Sequence, residues 1–323
     1  MDDSVKNNID SSNDFIKKVT EKSKSLEKDF LNIIEDKILS LDNIRGKLSL
    51  TKDSSSDIIK IAKQISDAIK KGGYANDISK LLRQIGDVSK STISVAESLN
   101  DSTIKIDTTP EQDLIIGEIS DRLASPDSFS SNITNEVRKI IVKNILEQKT
   151  IKSLIDDLET SLLTNSSGQG IVTKYVNQLA TDAVLQYKGA VNQKIKDKYN
   201  YDAIRYVGSL IETSRPQCKR WISTKHGILL EEKPDIGINI EVGILEEEIK
   251  YIKNNIYNSS KVSGYGTPDK SYYIDLTVDN FITFRGGYGC RHEAIPFKYS
   301  VKAITRTERL AKQHQEYLEK QAA

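Results

Sequence analysis

No proline occurs before Pro110 in this chain of 323 residues. Proline removes a backbone donor and clashes with the preceding turn, so a long stretch without it can run as uninterrupted helix. The same stretch holds only three aromatics, Phe15, Phe30 and Tyr74, and is dense in Lys, Glu, Asp and Ser. Straight-chain residues lose little rotamer freedom in a helix, which favours that reading further. From Tyr187 onward the aromatics crowd, with Tyr199, Tyr201, Tyr206, Trp221, Tyr251, Phe281, Phe284 and Tyr288 among them. Large rings bury much area per residue, which places the compact core in the C-terminal part. The expected fold class is therefore mainly α with a small C-terminal α+β domain, led by long N-terminal amphipathic helices. Four stretches follow: an extended helical region 1–106, a helical region 107–200, a small α/β domain 201–300, and a helical tail 301–323.

Periodicity fills in the elements. Val19, Leu26, Phe30, Ile33, Leu41, Ile44 and Leu48 recur at threes, fours and their multiples, with Ser12-Asn-Asp14 offering N-cap oxygens ahead of them. A second stripe follows Asp57 through Ile58, Ile61, Ala62, Ile65 and Ile69 and stops at Lys71-Gly-Gly73. A third starts near Asn76-Asp77 and runs toward Leu99. The stripes are narrow and their opposite faces charged, so such helices bury themselves against one another or against a partner subunit. An oligomer through a coiled coil is one such arrangement, although the heptads are irregular. Connectors are expected at Thr108-Thr-Pro110 and over 125–131, and helices over 113–124, 133–147, 150–163 and 171–199. After Tyr201 the period changes. A strand is expected over 203–211, a short helix after Pro216 and a short strand over 228–230. A helix over 242–257, strand-like residues over 274–284 and a final helix from Thr305 complete the pattern.

Charge excludes little and suggests less. The formal net charge is +1, so nothing global points to nucleic acid or to a membrane surface. No apolar run is long enough to span a bilayer. The start, Met1-Asp-Asp-Ser, is unlike a secretory signal, and synthesis in a reducing cytoplasm is expected. Lys188, Lys194, Lys196 and Lys198 gather toward the end of the 171–199 helix. The reading favoured is a solvated helix end that suits the dipole, against a DNA-facing patch.

Chemistry concentrates in two short segments. Cys218 closes Thr213-Ser-Arg-Pro-Gln-Cys218, while Cys290 and His292 close Arg285-Gly-Gly-Tyr-Gly-Cys-Arg-His292. The chain has two cysteines and three histidines, and His226 lies between these motifs. Gly286, Gly287 and Gly289 allow tight turns. Three arrangements fit the cysteines: reduced core residues, a disulfide, or a structural zinc held by Cys218, His226, Cys290 and His292. The ligand spacings, C-x₇-H and C-x-H, differ from the common ones. A hydrolytic zinc would need an open position and a carboxylate base, and Glu293 is the only acid adjacent to the motif. Cys290 with a histidine would make a nucleophile pair, but no third orienting group or oxyanion hole is named by the sequence, so no catalytic residue is assigned. Arg215 and Arg291 flank the cysteines and suit either an anion or local salt bridges and turn carbonyls. No phosphate-binding loop is present. Tyr265, Tyr272, Tyr273 and Tyr288 could stack on bases, but balanced charge over 201–300 argues for weak DNA contact at most.

One resemblance is specific. The ordered pattern Tyr206-x-Gly208, Thr213-Ser-Arg215-Pro216-x-Cys218, Gly286-Gly-Tyr-Gly-Cys-Arg-His292 and Pro296 resembles the C-terminal domain of phage head-morphogenesis proteins, the minor capsid proteins related to protein F of phage Mu. Lys149-Thr-Ile-Lys-Ser-Leu154 upstream is similar too, and the likeness covers residues 133–300. Trp221 stands where the family often has a second cysteine, and His292 where it often has a last one. The resemblance implies a structural, portal-associated head protein of low copy, packaged inside the capsid, that assists head assembly or genome delivery. Its partners would be the portal and other virion proteins, with packaged DNA a weak contact. No cofactor is implied beyond the structural zinc, which the family's cysteine-rich variant keeps in view. A zinc- or cysteine-dependent cargo enzyme and an ejected DNA- or membrane-contacting protein are the alternatives.

Overall fold

The structure is a computed structural model that describes residues 3–39, 43–44, 47–48, 67, 80, 82–124, 129–163, 170–208, 216–223, 227–230, 243–252, 261–263, 273–275, 277–284 and 292–322. It is mainly helical, with a small sheet near the C-terminus and a long N-terminal helix. Of the helix expected over 58–69, with its glycine stop, only Asp67 is among the described residues.

Helix α1, Asp3–Leu39, begins earlier than the Ser12–Asp14 cap suggested. Val5 and Ile9 are buried and add further turns to the stripe, while Ser12 Oγ donates to the Asn8 carbonyl at 2.8 Å inside the helix. The helix also ends sooner. Ile44 and Leu48, expected on its stripe, lie in an antiparallel pair of two-residue strands, β1 Asn43–Ile44 and β2 Lys47–Leu48. Asp42, Asn43 and Gly46 are all poor in a helix interior, which opposes continuation past Leu39.

The chain groups into two compact units, each made of separated stretches: residues 1–15, 85–115 and 181–323 in one, 16–84 and 116–180 in the other. Because these stretches interleave, neither unit is one consecutive run of sequence.

In the second unit, α4 Phe129–Leu146 and α5 Ile151–Leu162 form a hairpin. Thr150 caps α5 by accepting from Ser153 N at 3.2 Å, and Leu154, Leu158 and Leu162 form its buried stripe. A buried carboxylate serves as a cap from a distance. Glu27 of α1, 2% exposed, accepts from Thr173 N at 2.8 Å and from Thr173 Oγ1 at 2.5 Å, in the first turn of α6, Ile171–Tyr199. Gly170, just ahead of that turn, has no room for a side chain, since a Cβ there would lie 2.3 Å from the Leu162 carbonyl oxygen.

The first unit contains α2 Gly86–Asn100 and the four-stranded sheet. Its strands are β3 Ala203–Val207, β4 Ile228–Leu229, β5 Gly243–Ile244 and β8 Glu293–Phe297, in the order β5-β4-β3-β8. β3 is antiparallel to both neighbours, and β4–β5 is parallel. A separate antiparallel pair joins β6 Lys261–Ser263 to β7 Tyr273–Asp275. β3 is buried along its whole length, so both faces of the sheet are covered. One face carries the aromatic core of Ile204, Tyr206, Trp221, Phe281 and their neighbours; α2 and α10, Val301–Ala322, pack against the edge strand and β3. Pro296, which cannot donate to a ladder, sits in the edge strand. Asn100 at the end of α2 covers that edge, donating to the Pro296 carbonyl at 3.2 Å and accepting from Lys298 N at 2.9 Å.

Several expected boundaries move for local reasons. The strand-like 274–284 stretch splits into β7 and a helical turn, α9 Phe281–Phe284. Thr277 and Asn280 cap each other reciprocally at 2.8 and 3.3 Å, which starts a helix ahead of Phe281. The final helix starts at Val301 rather than Thr305, because Ser300 Oγ accepts from Ala303 N. Thr109 and Pro110, expected in a connector, begin α3 Thr109–Ala124, with proline in the first turn where its missing N–H is harmless. Phe129 likewise begins α4 inside the expected 125–131 connector. The helix expected over 242–257 is described as α8 Leu245–Ile252.

Candidate functional site

Strand pleating separates two residues that the sequence places side by side. Across the β3–β8 ladder Tyr206 faces Ala294 and Val207 faces Glu293. Successive side chains alternate between faces, so Glu293 and its neighbour His292 serve different sites.

His292 goes to the aromatic core. Its ring stacks on Tyr206, with centroids 5.3 Å apart and planes 20° apart. Tyr206 also meets Trp221 edge-on at 5.2 Å, and Trp221 meets Phe281 at 4.7 Å. Cys218 sits in α7, Pro216–Ser223, buried, with Sγ 3.5 Å from Tyr206 Oη. Tyr206 therefore bridges the two motifs. The close fit explains the glycine that follows it: Gly208 has φ of +148°, and a Cβ there would lie 2.4 Å from His292 Cδ2. Pro216 opens α7 as expected. Trp221, which stands where a second family cysteine would, fills the centre of this core at 1% exposure. Arg215, His226, Gly286, Gly287, Gly289, Cys290 and Arg291 lie outside the described residues, so the four-ligand zinc set falls partly there. Among the described residues no group of three or more His, Cys, Asp or Glu side chains is placed to hold a metal.

Glu293 goes to the opposite face and into a buried polar cluster. Lys188 of α6 lies 2.7 Å from Glu293 Oε2, and both side chains are almost fully buried. Asn8 Nδ2 of α1 donates to the same Oε2 at 3.2 Å, and Asn192 Nδ2, one turn beyond Lys188, donates to Oε1 at 3.1 Å. The Asn8 side-chain oxygen in turn receives Ser91 and Thr92 hydroxyls of α2, each at 3.4 Å. Ser91 also contacts Ser11 at 2.7 Å. Residues of α1, α2, α6 and β8, all within the first unit, thus meet on one carboxylate and one carboxamide. Asn192 Oδ1 is buried with no hydrogen-bond partner. A buried ion pair loses much hydration, so it is held by geometry and by hydrogen bonds to its remaining lone pairs. The two asparagine amides supply those bonds here. An amine, a carboxylate and a carboxamide in a water-poor pocket also constitute the reactants of an acyl transfer.

The remaining lysines of the α6 end are engaged within the chain. Lys194 pairs with Glu111 at 2.9 Å, Lys198 donates to the Lys105 carbonyl at 2.7 Å, and Lys196 lies 3.2 Å from Asp197. Lys188, read from sequence as part of a solvated helix end, is instead in the interior, because residues 182–189 are buried on every side of the helix. A cleft of about 380 Å³ opens beside Gly208, walled by Arg205 and by Glu308 and Lys312 of α10. Burial holds the Arg205 guanidinium below its ordinary range, and Glu308 works against that shift. At the core's rim, Arg220 grips Glu248 through two bonds of 2.5 and 2.8 Å and lies 3.9 Å above the Tyr251 ring.

Sequence reading missed Lys188, Asn8, Asn192 and the role of Glu293. One signal was available. Asn8, Ser12, Ser23 and Glu27 stand at helical spacing with Val5, Val19, Leu31, Ile34 and Ile38, so the buried face of α1 contains polar residues that an apolar count skips. No family model, no curated protein and no solved structure matches this chain.

Proposed function

We propose that this chain is a structural minor head protein of a bacteriophage, associated with the portal and packaged inside the capsid, where it assists head morphogenesis or genome delivery. The observation that carries the reading is the ordered motif Tyr206-x-Gly208, Arg215-Pro216-x-Cys218, Gly286-Gly-Tyr-Gly-Cys-Arg-His292 and Pro296. The described members of that motif support a structural use: Tyr206, Cys218 and His292 are buried and interlock in the interior. On this reading the two motifs are halves of a tie that closes a small domain, and the chain acts through its surfaces on the portal and other virion proteins. It is made in the host cytoplasm and resides in the particle. No described helix is long and apolar enough to cross a membrane.

The test is quantitative mass spectrometry of gradient-purified heads, with chemical crosslinking to locate neighbours. The expected result is the chain at low copy, crosslinked to the portal. Its absence from mature and immature heads alike would overturn the reading. Its loss only from DNA-emptied heads would assign it to ejection instead.

A further inference from the structure

The Lys188–Glu293–Asn8 cluster carries an inference that does not depend on the head-protein reading. We propose that Lys188 and Asn8 join in an autocatalytic intramolecular isopeptide bond, with Glu293 as the proton shuttle and ammonia as the leaving group.

Three features of the cluster point this way. The first is convergence: Lys188 Nζ and Asn8 Nδ2 both bond to one oxygen, Glu293 Oε2, at 2.7 and 3.2 Å. A single carboxylate therefore touches both the nucleophile and the leaving group, the position a shuttle must hold. The second is polarisation. The Asn8 carbonyl oxygen faces the Ser91 and Thr92 hydroxyls at 3.4 Å each, and these can stabilise the oxyanion that forms on it. The two hydroxyls also contact the Val88 carbonyl at 2.9 and 2.8 Å and can swing toward Asn8 as charge develops. Asn192 offers the contrast. Its amide bonds to the same carboxylate, but its carbonyl oxygen has no donor, so it orients Glu293 and is not the electrophile. The third is burial. Asn8 is 1% exposed, Glu293 3% and Lys188 5%, which excludes the water that would compete as nucleophile.

The step balances without any added reagent. A proton passes from the Lys188 ammonium to Glu293 along the 2.7 Å bond and leaves a neutral amine. Its lone pair attacks Asn8 Cγ, forming the N–C bond and a tetrahedral oxyanion facing Ser91 and Thr92. Attack takes place at about 3–3.5 Å from Cγ, and turning the carboxamide about its soft terminal torsion, which leaves Cγ in place, presents its face to the amine. Glu293 returns its proton to Asn8 Nδ2, and the carbon–nitrogen bond breaks. Ammonia departs carrying the second proton that Nζ gives up, and a secondary amide remains. The product ties α1 covalently to α6 across 180 positions of sequence.

The intact mass of the purified full chain, measured under denaturing conditions, tests the proposal directly. The expected value lies below the sequence mass by one ammonia, about 17 Da. Tryptic digestion is expected to yield one branched species joining residues 7–17 to residues 175–194, because an acylated Lys188 is not cleaved. Lys188→Arg keeps the cation and removes the nucleophile. Asn8→Ala removes the electrophile, and Glu293→Gln removes the shuttle. Each is expected to restore the full mass. The wild-type measurement stands even if a variant fails to fold. A wild-type chain at full mass after prolonged incubation at neutral pH overturns the proposal. So does a 17 Da deficit without the branched peptide, which would mark a succinimide, or a full deficit retained in the Lys188→Arg variant.

Discussion

Replacing Gly208 by alanine tests the interlock of Tyr206, Gly208 and His292. The added Cβ would lie 2.4 Å from His292 Cδ2 and 3.0 Å from His292 Cα. Carbon atoms rest at about 3.5–4.0 Å, so one of the two must move by roughly an ångström. His292 has little freedom to yield: its ring is stacked on Tyr206, and the next residue is Glu293, fixed by Lys188, Asn8 and Asn192. Overpacking of this kind costs about 1–3 kcal/mol. The positive φ of +148° adds strain of about 1–3 kcal/mol for a residue with a side chain. The expected loss is therefore about 2–6 kcal/mol. Urea unfolding followed by the fluorescence of Trp221, the chain's single tryptophan, reads this core directly. Gly117→Ala is the control, since nothing lies within 4 Å of its Cβ position in α3. That change should stabilise by about 0.5–1 kcal/mol, seen by circular dichroism. In a His292→Ala background the cost of Gly208→Ala should fall by about 1 kcal/mol or more. Equal costs in both backgrounds, or a Gly208→Ala chain within about 0.5 kcal/mol of the parent, would refute the steric argument.

Two further outcomes follow from the second unit. Glu27→Ala should destabilise by about 2–3 kcal/mol by orphaning the buried Thr173 amide and removing a charge that suits the α6 N-terminus. Glu27→Gln should cost less, and hydrogen exchange at the Thr173 amide should quicken in the alanine variant; unchanged exchange would contradict the capping role. Asp157 receives hydrogen bonds from Lys149 and Asn144, which hold its carboxyl below the ordinary value of 3.8. A depressed carboxylate contributes stability that is present above that ordinary value and is lost as pH falls through the lower folded one. Carboxyl NMR should place its midpoint below 3.8, and Asp157→Asn should flatten the acid dependence of the α4–α5 hairpin; a midpoint at or above 3.8 contradicts the assignment.

Local pattern identified the elements well where one physical rule acted alone. The α6 helix is described over Ile171–Tyr199, the stretch its periodicity indicated, and Thr150 caps α5 where the sequence turns. Errors arose where side chains competed with the pattern. Reciprocal capping by Thr277 and Asn280 turned a strand-like run into helix at Phe281. Ser12 satisfied itself inside α1 rather than capping it. The motif residues were legible as a group, and Tyr206 does bring Cys218 and His292 to one core. Glu293, legible only as the acid adjacent to the motif, joins a different cluster, because a strand turns adjacent side chains to opposite faces.

Composition and periodicity alone determined that this chain would be mainly helical with a small aromatic-rich α+β core, because helix-forming residues and apolar spacing act over a few neighbours. Which polar residues meet was decided only in three dimensions. Asn8, Lys188 and Glu293 are separated by at least a hundred positions, and each alone resembles an ordinary surface residue. Their contacts depend on α1, α6 and β8 arriving at one place with atoms about 3 Å apart, a distance that no local pattern encodes.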